Sequence, residues 1–292
     1  MRAASLSTSR RDVYLKLEST LPTGSFKVRG ALFSLSERVR ADKVGDVVAA
    51  STGNHGAAVA YAGQQLGVRA TIFLPSRPNP VKAQRIRDLG ASLIETGDDL
   101  TAAIDAARDY ADRTGAFFLH DASDPDVPVG TATIGREILL ERPDTAAIYV
   151  PVGDTALIRG VASAAKHLRA DVRIVGVVAE RAPAYFLSWQ SGRVVETESA
   201  DTIADGLAVR RPLAPNVAAI RELVDEVRLV GEDELRAAIA FLRQHENVVA
   251  EPAAAAPAAA LLKEDESKAG TVALLVTGAN IAPDLRTPSR EA

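Results

Sequence analysis

The chain has 292 residues, 47% of them hydrophobic and 25% charged, and a formal net charge of −4, the profile of a globular protein large enough for two α/β units. No basic run stands out, so a nucleic-acid partner is not expected, and the absence of cysteine removes disulfides, thiolate metal sites and thiol nucleophiles. The histidines at 55, 120, 167 and 245 share no i, i+4 spacing that would support a zinc site, and no apolar run reaches the ~18 residues of a membrane span.

The first segment, Met1–Arg11, carries arginines and serines without the apolar core of a secretory signal. A transit peptide stays open on composition, a ragged start is the simpler reading, and the cytoplasm is the default compartment. Short β-branched runs then predict strands at Val13–Glu18, Asp46–Ser51, Ala70–Pro75, Ala91–Thr96, Ala116–His120, Ala147–Val152, Val172–Ala179, Glu226–Val230 and Thr271–Thr277. Between them, apolar residues at three- and four-residue spacing predict helices, including Val28–Val39, His55–Leu66, Ala102–Asp112 and Glu232–Gln244. The alanine-rich stretch Ala250–Leu262 reads as a tightly packed helix. Strands alternating with helices imply parallel sheets covered on both faces, and nine strands imply two such domains. No Gly-, Ser- or Pro-rich linker separates them, so the chain is expected to cross between domains more than once.

Open parallel sheets present ligands at the carboxyl ends of their strands, where helix starts direct N–H groups outward. Four places there carry chemistry. In chain order the first is Lys27, two residues beyond Ser25, a candidate helix cap; the positive end of a helix dipole favours the neutral amine that a Schiff base needs, although most lysines are solvated surface residues. Ser51-Thr52-Gly53-Asn54-His55-Gly56 follows a strand and suits a carboxylate through backbone N–H groups and side-chain donors, or is an ordinary helix cap. Pro151-Val152-Gly153-Asp154-Thr155-Ala156-Leu157 suits a phosphate. Asp154 is awkward there unless its side chain turns away, and it could simply cap the helix. Thr277, closing an apolar strand, offers a hydroxyl for a ring nitrogen or for backbone.

In their order these segments resemble the fold-type II pyridoxal phosphate enzymes, in particular the threonine/serine dehydratase and serine racemase group. YLKLESTLPTGSFKVRGA resembles the family's lysine segment, ASTGNHGAAVAYAGQQLG its substrate loop, and HDASDPDVPVGTATIGREI the stretch after its small domain. VPVGDTALIRGVA is similar to the phosphate loop, ETESADTIADGLAV and VVAEPAAAA to further landmarks, and VTGAN to the segment near the pyridine nitrogen. The likeness runs from about Val13 to Ala282. It implies a tryptophan synthase β-like α/β fold with two open parallel-sheet domains and pyridoxal 5′-phosphate in the cleft between them. The large domain would comprise residues 1–45 and 125–292, and the small domain residues 46–124. The resemblance implies that Lys27 bonds the cofactor and moves the α-proton, Phe26 packs against the cofactor ring, and Asn54 bonds the ring oxygen. It also implies that Gly153, Asp154, Thr155, Ala156 and Leu157 wrap the phosphate, that Thr277 meets the pyridine nitrogen, and that Ser51, Thr52, Gly53, Asn54 and His55 hold the substrate carboxylate. Elimination of water from a threonine- or serine-like amino acid, giving a 2-keto acid and ammonia, is the implied reaction, with a homodimer the usual assembly.

The sequence departs from the family at several points. Gly153-Asp154-Thr155-Ala156 stands in place of four glycines. Thr52 stands where dehydratases often have alanine and racemases serine, and its hydroxyl would allow some racemisation from the face opposite Lys27. In the family's divalent-cation segment Glu180 and Ala184 fit but Phe186 replaces an aspartate, so no such metal site is expected. The chain starts within a region where the family has an extra helix and strand, and an added regulatory domain is not expected. Dehydratases of hydroxyectoine-type catabolism, an amino-acid racemase and an inactive metabolite-binding homologue are the alternatives.

Overall fold

The structure is a computed structural model, and it describes all residues except 43, 52, 79, 266–268 and 282–292, together with the side chains of 80–82. In chain order the first half comprises β1 (Arg11–Leu17), α1 (Lys27–Arg40), β2 (Asp46–Ala50), α2 (Asn54–Leu66), β3 (Arg69–Leu74), α3 (Pro80–Asp88), β4 (Ser92–Glu95), α4 (Leu100–Thr114), β5 (Phe117–Phe118) and α5 (Val127–Glu141). The second half comprises β6 (Thr145–Pro151), α6 (Ala156–Leu168), β7 (Arg173–Ala179), α7 (Ala184–Ser191), α8 (Ala214–Leu223), β8 (Glu226–Val230), α9 (Glu232–Glu246), α10 (Pro252–Leu262) and β9 (Gly270–Val276). All nine strands expected from the β-branched runs form. Two compact units result, one of Met1–Thr20 with the chain from Ala132 onward, the other Leu21–Thr131.

The larger unit is built on a five-stranded parallel sheet in the order β1-β9-β6-β7-β8. Its inner strands β6, β7 and β9 are buried on both faces, whereas the edge strand β1 alternates buried and half-buried residues. That contrast is why the inner strands read as continuous apolar runs. Helix α10 is almost all alanine and proline, and every residue from Pro252 to Leu261 is buried. Small side chains let it pack between neighbours on all sides, as a helix apolar all round must.

The smaller unit holds a four-stranded parallel sheet in the order β4-β3-β2-β5. Val48 and Phe73 from the sheet meet Ala103, Ala107 and Ala111 from α4 in its core, and the Phe73 and Tyr110 rings pack 5.5 Å apart at 59°. Asp99 caps α4 by accepting from the Ala102 N–H at 2.9 Å. Strand β5 is shorter than the expected Ala116–His120. The Leu119 amide still donates to Val48, but the carbonyl of His120 accepts from the amides of Ser123 and Asp124, so the chain leaves the sheet in a turn.

Candidate active site

In the smaller unit, β2 and β5 are adjacent and parallel, so the turns beyond their carboxyl ends are neighbours. After β2, the Ser51 hydroxyl accepts from the Gly53 amide at 3.1 Å, and α2 starts at Asn54. The Ser51 bond lies ahead of the helix, whose N-cap position is Gly53 without a side-chain cap, so the α2 start is not capped by Ser51. Thr52, expected to be both catalytic and substrate-binding, lies outside the described residues. Ser51 and His55 are buried, and Gly53 and Asn54 half-buried. The His55 ring meets the carbonyl of Leu119 through Nε2 at 3.0 Å. A carbonyl only accepts, so Nε2 carries the hydrogen. With its ring engaged there, the group His55 has left for a carboxylate is its backbone N–H in the first turn of α2.

Lys27 is the first residue of α1. Its amide donates to the buried Ser25 hydroxyl at 3.3 Å, although Phe26 rather than the expected Ser25 stands at the N-cap position, without a side-chain cap. The ε-ammonium lies 2.6 Å from Asp121 Oδ2 and 5.3 Å from the centroid of the half-buried Phe26 ring. A helix start disfavours a cation by about 0.3–1 kcal/mol, whereas a charge-assisted hydrogen bond contributes about 1.5–3 kcal/mol. The carboxylate is the stronger influence, so Asp121 acts against the effect expected of helix position. The same Asp121 oxygen is 3.8 Å from His55 Nδ1.

The position of α1 is set by close backbone approach to α5. A Cβ at Gly30 would meet Val127 Cγ1 at 2.7 Å, and one at Gly130 would lie 2.4 Å from the carbonyl oxygen of Arg29. Asp124 caps the start of α5, its Oδ1 accepting from the amides of Asp126 and Val127 at 2.9 and 3.1 Å. The segment containing Asp121 is thus fixed at both ends.

In the larger unit, β6 and β9 are adjacent, which brings together the turn Gly153–Leu157 and the segment starting at Thr277. A Cβ at Gly153 would fall 2.2 Å from the carbonyl oxygen of Gly206, so only glycine fits. Asp154 Oδ1 accepts from the Ala156 amide at 3.0 Å. The carboxylate is drawn back onto the helix start, and burial-weakened Arg159, one turn along α6, faces it electrostatically. Both features answer the repulsion that Asp154 would otherwise impose on a phosphate. The carboxylate also engages the Ala156 amide, so among the groups expected to meet a phosphate the Thr155 hydroxyl and the other amides of the turn are the ones this bond does not occupy. The Asp154 carbonyl accepts from Asn216 Nδ2 at 3.2 Å, and that same nitrogen is 3.3 Å from the Tyr185 phenol oxygen, whose proton burial holds on more firmly than usual.

Thr155 adopts φ +75°, a left-handed conformation unusual for a β-branched residue and typical of functional turns. Its hydroxyl oxygen is buried beside the Tyr185 phenol, with no hydrogen bond of good geometry. A donor so weakly engaged at a helix start suits a bound phosphate, so the residues fit such a group. Thr277 is 3% exposed. The next residue, Gly278, packs on the buried Glu251: its carbonyl accepts from the Glu251 amide at 3.0 Å, and a Cβ there would be 2.6 Å from Glu251 Oε1. Among the described residues no cluster of three or more His, Asp or Glu is placed to hold a metal ion.

Asp121, Asn216, Tyr185, Arg159 and Glu251 were not singled out from the sequence. Asp121 stands beside His120 in a run with three aspartates, and only its pairing with a lysine 94 positions away distinguishes it. Glu251 lies in the quoted VVAEPAAAA segment, which gave no hint that its carboxylate would meet Gly278.

A lysine paired with a carboxylate in one parallel-sheet unit and a glycine-tight strand-to-helix turn in the other suit the class of enzymes that carry a phosphorylated carbonyl cofactor. The chain belongs to the pyridoxal-phosphate dependent enzyme family, whose model matches residues 1–278, and its cofactor is pyridoxal 5′-phosphate. It is 39% identical over 270 residues to an L-threonine ammonia-lyase of Thermotoga maritima, covering 92% of this chain and 67% of that one. Among solved structures it resembles maize serine racemase, with a TM-score of 0.92 and 27% identity over 97% of this chain and 88% of the other. It also resembles the processed form of threonine deaminase isoform 2 from Solanum lycopersicum, with a TM-score of 0.90 and 32% identity over 97% and 84%.

Proposed function

We propose that the chain is a pyridoxal-phosphate dependent ammonia-lyase that removes water from a small hydroxy-amino acid of the threonine or serine kind, releasing a 2-keto acid and ammonia. The observation that carries this reading is the Lys27 ε-nitrogen, held 2.6 Å from Asp121 beside the Ser51–His55 helix start, in a chain so similar to a threonine ammonia-lyase.

When bound, pyridoxal phosphate supplies an electron sink that acidifies the Cα–H of an attached amino acid. The chain anchors and orients it. Lys27 would hold the cofactor through its Nζ, and that amine would take the proton from the substrate Cα. Phe26 would flank the cofactor ring, and Asn54 would donate to its ring oxygen. Gly153, Asp154, Thr155, Ala156 and Leu157 form the phosphate turn, with the Thr155 hydroxyl and the helix-start amides as donors. Thr277 would offer the pyridine nitrogen a neutral hydroxyl rather than a carboxylate, which would temper the sink. Ser51, Thr52, Gly53, Asn54 and the His55 amide hold the substrate carboxylate. Loss of the Cα proton and then the β-hydroxyl gives a dehydrated amino acid, which takes up water and divides into keto acid and ammonia.

A homodimer in the cytoplasm completes the proposal. In its support, no helix among the described residues is long and apolar enough to cross a membrane, and relatives of this kind are metabolic enzymes. Light scattering on the purified protein tests the dimer.

The decisive experiment assays ammonia and keto-acid release from threonine, serine, hydroxyaspartate and hydroxyectoine-derived amino acids. Wild type is expected to turn over at least one of them and to show an absorbance band near ~410 nm that borohydride abolishes. Lys27→Ala is expected to lose both. Full keto-acid production by Lys27→Ala, or a protein without the band, overturns the proposal.

A further inference from the structure

We propose that Asp121 is a positioning residue for Lys27: it holds the lysine Nζ where the cofactor bonds it and retains the ammonium that Nζ becomes once it has taken the Cα proton. This inference rests on the functional reading above.

Three observations carry it. The Lys27 Nζ to Asp121 Oδ2 distance is 2.6 Å, with side-chain exposures of 16% and 19%. The pair is neither buried enough to forfeit its attraction to desolvation nor exposed enough to be dissolved by water. Second, the carboxylate is not free to follow a wandering lysine. It sits between the amide of Leu119, bonded to β2, and Asp124, which caps α5, and His55, fixed by its Nε2 contact with Leu119, stands 3.8 Å behind the same oxygen. Third, Lys27 has a flexible four-carbon stem whose rotamers must be restricted before its nitrogen can serve as both anchor and base. Its helix start is pinned on α5 through Gly30 and Gly130, and Asp121 pins the other end.

The proton accounting is simple. The neutral Lys27 amine accepts one proton from Cα and becomes an ammonium; the carboxylate changes no bond and carries the compensating charge. The electron pair of the broken C–H bond passes to the substrate–cofactor unit, and no further reagent enters.

Titratable groups in this arrangement include Lys27, Asp121 and His55, with His120 next along the chain and bonded to the Ser123 hydroxyl at 3.3 Å. The test therefore reads Lys27 directly. Apoprotein, stripped of cofactor, is pulsed with N-hydroxysuccinimidyl acetate at neutral pH, and acetylation of each lysine is quantified by mass spectrometry. Asp121→Asn is expected to accelerate Lys27 labelling roughly tenfold, as the neutral amine gains population, with Lys16 and Lys166 unchanged as internal controls. Asp121→Glu is expected to restore slow labelling at least in part. In the loaded protein, Asp121→Asn should also shift the acid–base titration of the lysine-bound cofactor band. Circular dichroism shows which variants are folded; if Asn unfolds the chain, the wild-type and Asp121→Glu comparison decides, Glu labelling within a fewfold of wild type being the supporting result. Equal labelling in folded wild type and Asp121→Asn, or an unmoved band, overturns the proposal. Borohydride trapping in wild type separates the two readings. Cofactor fixed on a lysine other than Lys27 sinks the functional assignment, while the labelling contrast still judges the Lys27–Asp121 pair.

Discussion

Gly130 lies so close to Arg29 that a Cβ on the glycine would be 2.4 Å from the arginine carbonyl oxygen. The obstacle is backbone in the first turn of α1, two residues from Lys27, the proposed cofactor anchor, so it cannot swing aside. Gly130→Ala is expected to destabilise the protein by about 1–3 kcal/mol and to slow formation of the lysine-bound cofactor band, because α1 must shift to make room. Denaturant unfolding and stopped-flow absorbance check the two effects. A variant with unaltered unfolding midpoint would show that the helices are not held by this contact.

Thr155 combines backbone strain with a weakly engaged hydroxyl. Thr155→Gly removes both. Glycine adopts φ +75° without penalty, and relief of about 1 kcal/mol is expected in the apoprotein, partly offset by greater freedom of the unfolded chain. Cofactor affinity should move the other way, with Kd rising several-fold as a phosphate donor is lost. Thermal unfolding of apoprotein and cofactor titration by fluorescence measure each side, and a gain in both would refute the phosphate role.

Away from the site, Glu264 is a buried carboxylate, 4% exposed, between Arg11 and Arg228, and it accepts from the Tyr149 hydroxyl. Arg228 also pairs with Glu226 at 2.5 Å. Glu264→Gln leaves two guanidinium groups without their shared anion, and a loss of about 3–5 kcal/mol is expected. Calorimetry of the variant beside wild type provides the check.

The same cluster sets an alkaline limit. Burial, and then the Glu264 hydrogen bond, raise the Tyr149 phenol above its ordinary value. A raised folded-state value means that the folded chain keeps its proton after the unfolded chain has lost it. The contribution is therefore complete below about pH 10, the unfolded phenol's value, and is lost as pH climbs from there toward the raised folded value. Tyr149→Phe should be less stable than wild type at neutral pH and flatten the fall above about pH 10. Urea midpoints measured from pH 7 to 11 test this; parallel curves would exclude Tyr149 as the source.

Strand positions were legible because β6, β7 and β9 are buried on both faces and announce themselves as apolar runs. Strand β5 was overestimated because Leu119 and His120 continue the apolar pattern while their backbone turns away. Lys27, the Ser51 turn and the Gly153 turn were visible through motif order. What the sequence could not display were the pairings these residues make. Lys27 was read from its helix position alone, and its partner Asp121 lies 94 positions away. Asp154 looked hostile to phosphate until its side chain was seen folded back on Ala156, with Arg159 facing it.

That folded-back Asp154 has one more consequence. Its oxygen occupies the first amide of α6 at 3.0 Å, standing in for part of what an incoming anion would otherwise have to organise, while Asn216 steadies the same residue's carbonyl. Through its carboxylate and its carbonyl, Asp154 ties the start of α6 to α8, so the shape of the turn rests on the chain's own bonds.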